Sequence, residues 1–215
     1  MRSRQPVIWW MFAAFGTALG LSALVLGLEG AGENGTVAAL RATGRLSFLL
    51  FFLAYVGGAM ATLFGPTFQP LRRRGREFGL SFASAHLVHL ALVAWLCWIG
   101  NTPATPVFVL FGIAVFWTYA IALFSVGDPR RLLGAKGWWL LRAIGLNYIA
   151  YAFAVDFTNN PFSGGAKHLI EYVPFAILAV VGPALWLAAE AARLVQWRNA
   201  QPHRSGVPTG PAAGA

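Results

Sequence analysis

Acidic side chains are scarce in this chain. Seven Asp and Glu stand against sixteen Lys and Arg in 215 residues, and charged residues of both signs make up only 11%. A soluble domain carries about a quarter charged residues, so an ordinary water-exposed surface is excluded. Cysteine occurs once, at Cys97. That excludes an internal disulfide and any cysteine-based zinc or iron–sulfur site within one chain. Flanked by Trp95 and Trp98, Cys97 reads as a small buried hydrophobe. No Walker loop, dinucleotide fingerprint or zinc-protease motif is present. The net charge of +9 does not imply nucleic acid, because the cations sit in short clusters between apolar runs. That distribution marks the cytoplasmic side of a membrane protein.

What the chain does have is hydrophobicity, at 58% of residues and a mean hydropathy of +0.62. It falls into six runs, at about 6–28, 46–68, 78–99, 106–126, 137–157 and 168–190. Each is long enough to cross a hydrocarbon core of about 30 Å at about 1.5 Å per residue. Without strand-like alternation, helix is the only state that satisfies the backbone in lipid. The expectation is an all-α integral membrane protein, a bundle of six transmembrane helices over residues 1–197. A Pro-, Gly- and Ala-rich tail at 198–215 should be disordered. The first run is longer than a signal-peptide core of about 7–15 residues and reads as a retained helix.

Orientation follows from Lys and Arg. With the N-terminus inside, the inner segments hold Arg2, Arg4, Arg72, Arg73, Arg74, Arg76, Arg130, Arg131, Lys136, Arg193, Arg198 and Arg204. The outer segments hold only Arg41, Arg45 and Lys167. Both termini are therefore expected in the cytoplasm. The loop "LRRRGRE" reads first as a topology signal, with contact to lipid phosphate as the lesser reading. Pro174 and Pro183 are expected to interrupt the sixth helix. Ala54 and Gly58 in the second suit close helix packing. Glu190 and Arg193, three apart, should pair at an emerging helix end.

Ionisable residues inside a bilayer are functional candidates by default. Arg142, Glu171 and Asp156 lie near span ends and can reach the interface. His86 and His89 cannot, lying roughly 12–17 Å into the third span. Three residues apart, they share one helix face with Phe82 and Val93. Three readings follow. Their imidazoles make interhelical hydrogen bonds to Tyr119, Thr118, Asn147 or Tyr151; or they ligate haem iron; or they relay protons. His168 opens the sixth span and His203 belongs to the tail.

Residues 42–96 resemble the ferric-reductase-like transmembrane family, nearest its small bacterial branch of haem-binding membrane subunits that serve a periplasmic methionine-sulfoxide reductase. The resemblance is carried by Thr43-Gly44, the Arg72–Arg76 cluster, Gly79, Leu80, Phe82 and His89. The run "GWWLLRAIGLNYIAYAFAVDF", with Tyr148, looks like the family's fifth helix. The resemblance implies a membrane electron-transfer subunit of the bacterial cytoplasmic membrane, with b-type haem on His89 and His86 as a second ligand or a support. It also implies a protein partner that supplies or accepts electrons, and leaves room for a quinone. At most the chain is an oxidoreductase subunit, since it has no flavin or nicotinamide domain. The departure is in the fifth helix, where the family carries two histidines about thirteen residues apart. Ala143 and Asp156 stand at those places here. A haem-less structural or accessory subunit and a small transporter are the alternatives.

Overall fold

The computed structural model describes residues 5–127, 129–159 and 165–200; the side chains of residues 5, 6, 129 and 166–168 lie outside that description. Of the tail expected at 198–215, Arg198 and Asn199 instead belong to the last helix, and 201–215, with His203, lie outside the description. The described residues form seven α-helices and no strand. They are α1 (Gln5–Glu29), α2 (Glu33–Leu63), the short α3 (Gln69–Arg73), α4 (Gly75–Trp98), α5 (Thr105–Val126), α6 (Pro129–Thr158) and α7 (Gly165–Asn199). All but α3 are long and apolar enough to cross a membrane, which suggests a multi-pass membrane protein. Large exposed apolar side chains such as Trp9, Phe12, Phe116 and Leu123 are consistent with a lipid-facing surface.

Four boundaries differ from the sequence reading. Helix α2 starts at Glu33 rather than near residue 46. Its early turns place Thr36, Ala39, Thr43 and Ser47 on one face, and all four are buried. A stripe of small and polar residues lets helices approach closely but does not register as a hydrophobic run. Arg41 and Arg45 are consequently helical rather than part of a loop. The helix stops at Leu63 because Gly65 takes a left-handed φ of 82° and Pro66 follows, a combination that ends helices. Helix α6 begins eight residues early but is broken at Gly134 (φ 69°, ψ 170°). Helix α7 runs unbroken through Pro174 and Pro183 to Asn199, so neither proline interrupts it.

The helices associate as α1, α2 and α4 on one side and α5 with α6 on the other, with α7 joining α2 to α6. Small residues mediate the first group: Ala14 and Ala18 of α1 meet Ala85 and Val88 of α4, and the Ser84 hydroxyl donates to Met11 O at 2.9 Å. The α1–α2 turn is tight enough that a β-carbon at Gly35 would strike the Gly30 carbonyl. An aromatic core joins the two groups. Phe48 lies 5.1 Å from Phe153 and 4.9 Å from Phe157, while Phe51 lies 5.4 Å from Phe82. Contact between α4 and α5 is slight and is secured at one end. There Arg76 donates to the last carbonyls of α5, Ser125 O at 2.9 Å and Val126 O at 3.3 Å. Tyr119 adds a bond to Ala83 O at 3.2 Å. Towards the other end of these helices a cavity lies between the two groups.

Candidate functional site

The cavity encloses about 520 Å³, within the range of about 300–1,000 Å³ usual for ligand sites. Its walls are mostly apolar, supplied by α2, α4, α5, α6 and Tyr172 of α7. His86 and His89 both face it, as the shared helix face required. Phe82 and Phe153 stand 6.1 Å apart beneath them. Arg41, Arg45, Asp156 and Tyr172 also line it.

The two imidazoles stack, with centroids 5.1 Å apart and planes 13° from parallel. Phe82 stands 5.4 Å from His86. His89 does not bond any of the four partners expected from the sequence. Its Nδ1 meets Thr43 Oγ1 of α2 at 3.2 Å. That hydroxyl also lies 2.8 Å from Ala39 O and 3.2 Å from Leu40 O, the usual back-bond of a helical threonine. Its single hydrogen goes to the shorter contact, so its lone pair accepts from His89 Nδ1–H. Nε2 is thereby left with the free lone pair, the tautomer a metal-ligating histidine adopts. Gly44 completes the seat: a β-carbon there would stand 3.4 Å from Cε1 of His89, so the imidazole lies against bare backbone. His86 Nδ1 is buried and has no hydrogen-bond partner among the described residues.

The four expected partners act elsewhere. Tyr119 bonds Ala83 O, Thr118 bonds Ala114 O at 2.8 Å, and Asn147 accepts from Tyr55 OH at 2.8 Å. Tyr151 is exposed. Thr118 does line the cavity. Of the two α6 positions singled out, Asp156 lines the cavity and Ala143 does not; the Ala143 carbonyl accepts from Asn147 Nδ2 at 2.7 Å. The bundle below the cavity is filled by the Tyr55–Asn147 pair and by Trp117 and Ile121, which close over Gly145.

Sequence reasoning missed the mouth. Arg45 pairs with Glu171 Oε2 at 3.2 Å and lies over the rings of Tyr172 (5.3 Å) and Phe175 (5.6 Å). Glu171 therefore holds a partner rather than snorkelling alone. Arg41, one turn away, lines the same cavity and is in no ion pair among the described residues. The signal was the i, i+4 spacing of the two arginines, hidden because they were placed in a loop. Cys97 is half-buried rather than buried. Glu190 and Arg193 do pair, and Arg193 also donates to Thr62 Oγ1 at 3.0 Å, joining α7 to α2. His168 lies outside the described side chains.

No protein-family model matches the chain, and no curated protein or solved structure is similar to it.

Proposed function

We propose that the protein is a membrane electron-transfer subunit of ferric-reductase-like type, holding a b-type haem in this cavity with His89 as its iron ligand. The observation that carries the reading is the Thr43–His89 bond, which leaves Nε2 of a neutral imidazole available to a metal at an apolar cavity. The residues present would supply one iron-ligating nitrogen to the group. His89 supplies a nitrogen of the right tautomer, and the unpartnered His86 Nδ1 supplies a donor or acceptor beside it. Arg41 and Arg45 at the mouth suit the carboxylates of a haem. Being stacked on one helix face, His86 and His89 do not suit opposite faces of one iron. The α6 wall offers Ile149, Ala152, Phe153, Asp156 and Phe157, so the family's paired-histidine clamp is not available from α6. Bound there, haem would supply one-electron chemistry. The chain's own residues seat and orient it: Thr43 fixes the His89 ring, Gly44 admits it, and the phenylalanine floor keeps water from below.

In this reading both termini face the cytoplasm of a bacterial cell, and a partner protein donates or accepts the electrons. The Lys and Arg distribution supports that orientation. The deciding experiment is an absorption spectrum of the purified protein, oxidised and dithionite-reduced, after expression with ample haem. A Soret band lost in His89→Ala and weakened in His86→Ala is expected. A protein without the band refutes the reading. One observation favours a second reading, a haem-less accessory subunit that takes a small apolar ligand between its helices: the α6 positions of interest are Ala143 and Asp156, and the walls are mostly apolar.

A further inference from the structure

Of the helix pairs that wall the cavity, α4 and α5 pack least closely. They are held at one end by Arg76 on the last carbonyls of α5, and at the other by the connection at residues 99–104. Between those ends they part. Leu90 and Val93 on the α4 side and Phe108, Phe111 and Gly112 on the α5 side all line the cavity. Phe108 and Gly112 are exposed and the other three half-buried. A β-carbon added at Gly112 would meet no neighbouring atom within 4 Å. Among the described residues only α4 and α6 pack substantially against α5. The gap is therefore a slit that opens to the surroundings of the bundle.

Two hydrogen bonds set the level of this slit. Tyr119 on Ala83 O matches those positions of the antiparallel α4 and α5, and an equal step along each towards residues 99–104 brings Leu90 level with Gly112. Thr43 on His89 matches α2 to α4 in the same way and brings Arg41 level with Ala91. Trp98, exposed at the end of α4, marks the headgroup level of a bilayer, and Leu90 lies roughly 12 Å below it. The slit thus opens among acyl chains, and Arg41 lines the cavity at that depth. Arg45 is committed to Glu171. Arg41 is in no ion pair among the described residues, which include every acidic side chain except Asp128, placed by sequence after the opposite end of α5. A cation at such depth is costly unless a counter-charge joins it, and the guanidinium fork matches a carboxylate. Asp156 on the α6 wall repels an anion, which leaves the α2 wall as the place for one.

We propose that the cavity takes up a carboxylic acid with a long apolar body from the bilayer, through the slit between α4 and α5, and seats its carboxylate on Arg41. The apolar body lies against Leu90, Val93, Phe108 and Phe111. A cavity of about 520 Å³ suits a single-chain molecule, whereas a two-chain phospholipid exceeds it. The inference rests on the cavity being a ligand site, as both readings above have it, and not on iron. Haem, an apolar ring edged with carboxylates, competes for the same space.

The test uses the full chain, free of haem, in phosphatidylcholine nanodiscs with palmitic acid that carries a diazirine on its chain. Irradiation and peptide mass spectrometry should find label on α4 and α5 beside the slit. Unlabelled palmitic acid should compete, and hexadecanol, which lacks the acid group, should not. Arg41→Gln should weaken half-maximal labelling by about tenfold, the worth of one charge-assisted hydrogen bond, with Arg41→Lys in between. Gly112→Phe fills the slit and should cut labelling as strongly while leaving the thermal midpoint unchanged, because its β-carbon has room. Gly112→Leu serves if the phenylalanine variant does not assemble. Label absent from α4 and α5, or unchanged in Arg41→Gln or in the slit variant, overturns the proposal. So does competition by hexadecanol or by phosphatidylglycerol as effective as that by palmitic acid. A haem titration of the same samples separates the two inferences. A protein that is labelled but shows no Soret band refutes the haem reading alone, and one with the band whose haem-free form is not labelled refutes the present proposal alone.

Discussion

Replacing Thr43 by valine tests how the His89 ring is held. The side chain is fully buried, and valine matches its shape while removing the hydroxyl. The Ala39 carbonyl keeps its helical bond, so little is lost there. His89 Nδ1–H, 3.2 Å from the hydroxyl, loses its acceptor. Interhelical hydrogen bonds in bilayers average about 0.6 kcal/mol and reach about 1.7, whereas a buried donor left unpaired costs about 1–3 kcal/mol. Since His89 is only half-buried, a loss of about 1 kcal/mol is expected, measured by reversible unfolding in mixed micelles followed by circular dichroism. The effect on a metal-bound cofactor should be larger, because groups that orient a ligating histidine are worth about 10–100-fold in affinity, or about 1.4–2.8 kcal/mol. A haem titration of the Soret band reads that number. Thr43→Ser should restore both quantities, and Thr43→Val should add little on top of His89→Ala, since the two share one interaction. If Thr43→Val changes neither unfolding nor titration, or if serine does no better than valine, the assignment of the His89 tautomer is wrong.

Gly145→Ala should destabilise the α5–α6 pair by about 1–3 kcal/mol through overpacking, because the new β-carbon would meet Ile121 Cδ1 at 2.7 Å and Trp117 Cε3 at 2.9 Å; thermal unfolding in detergent measures it. Asp156→His would put an imidazole on the α6 wall of the cavity, and a haem-loaded protein should then shift towards a low-spin spectrum and bind carbon monoxide less readily when reduced. Arg45→Gln breaks a partly buried ion pair to Glu171 and should lower the unfolding midpoint modestly, by about 1 kcal/mol or less, with Arg45→Lys intermediate. A cysteine placed at Thr102 in a Cys97→Ser background should react with a membrane-impermeant thiol reagent in intact cells; labelling only after lysis contradicts the cytoplasmic placement of both termini.

The helices were legible wherever hydropathy alone decides. Helices α1, α4 and α5 fall within three residues of the runs read from the sequence, because each is apolar on nearly every face. Helix α2 was not legible, for a reason that bears on function. Its first four turns bury Thr36, Ala39, Thr43 and Ser47 against neighbouring helices, and close packing there needs small side chains rather than hydrophobic ones. A window that sums hydropathy discards such a stripe, and with it the arginines that the same turns carry to the cavity. The prolines of α7 misled in the opposite direction, since packing against α2 and α6 supports a helix through Pro174 and Pro183 that local preference would break.

The site was legible in half. Spacing alone put His86 and His89 on one face, and the structure turns that face into the cavity. Their partners could not be found the same way, because a hydrogen bond between α2 and α4 depends on the register of two helices, and the bonded residues are 46 apart in the chain. The dipeptide Thr43-Gly44 nonetheless held the information, read chemically. One residue offers a hydroxyl that its own helix leaves with a spare lone pair, and the next offers no side chain at all. Together they make a seat for a ring from the facing helix, and a larger residue at Gly44 or an apolar one at Thr43 would each spoil it in a different way. That division of labour is why the Thr43→Val and Thr43→Ser pair is more informative than removing His89, which would disturb the cavity whatever the imidazole does.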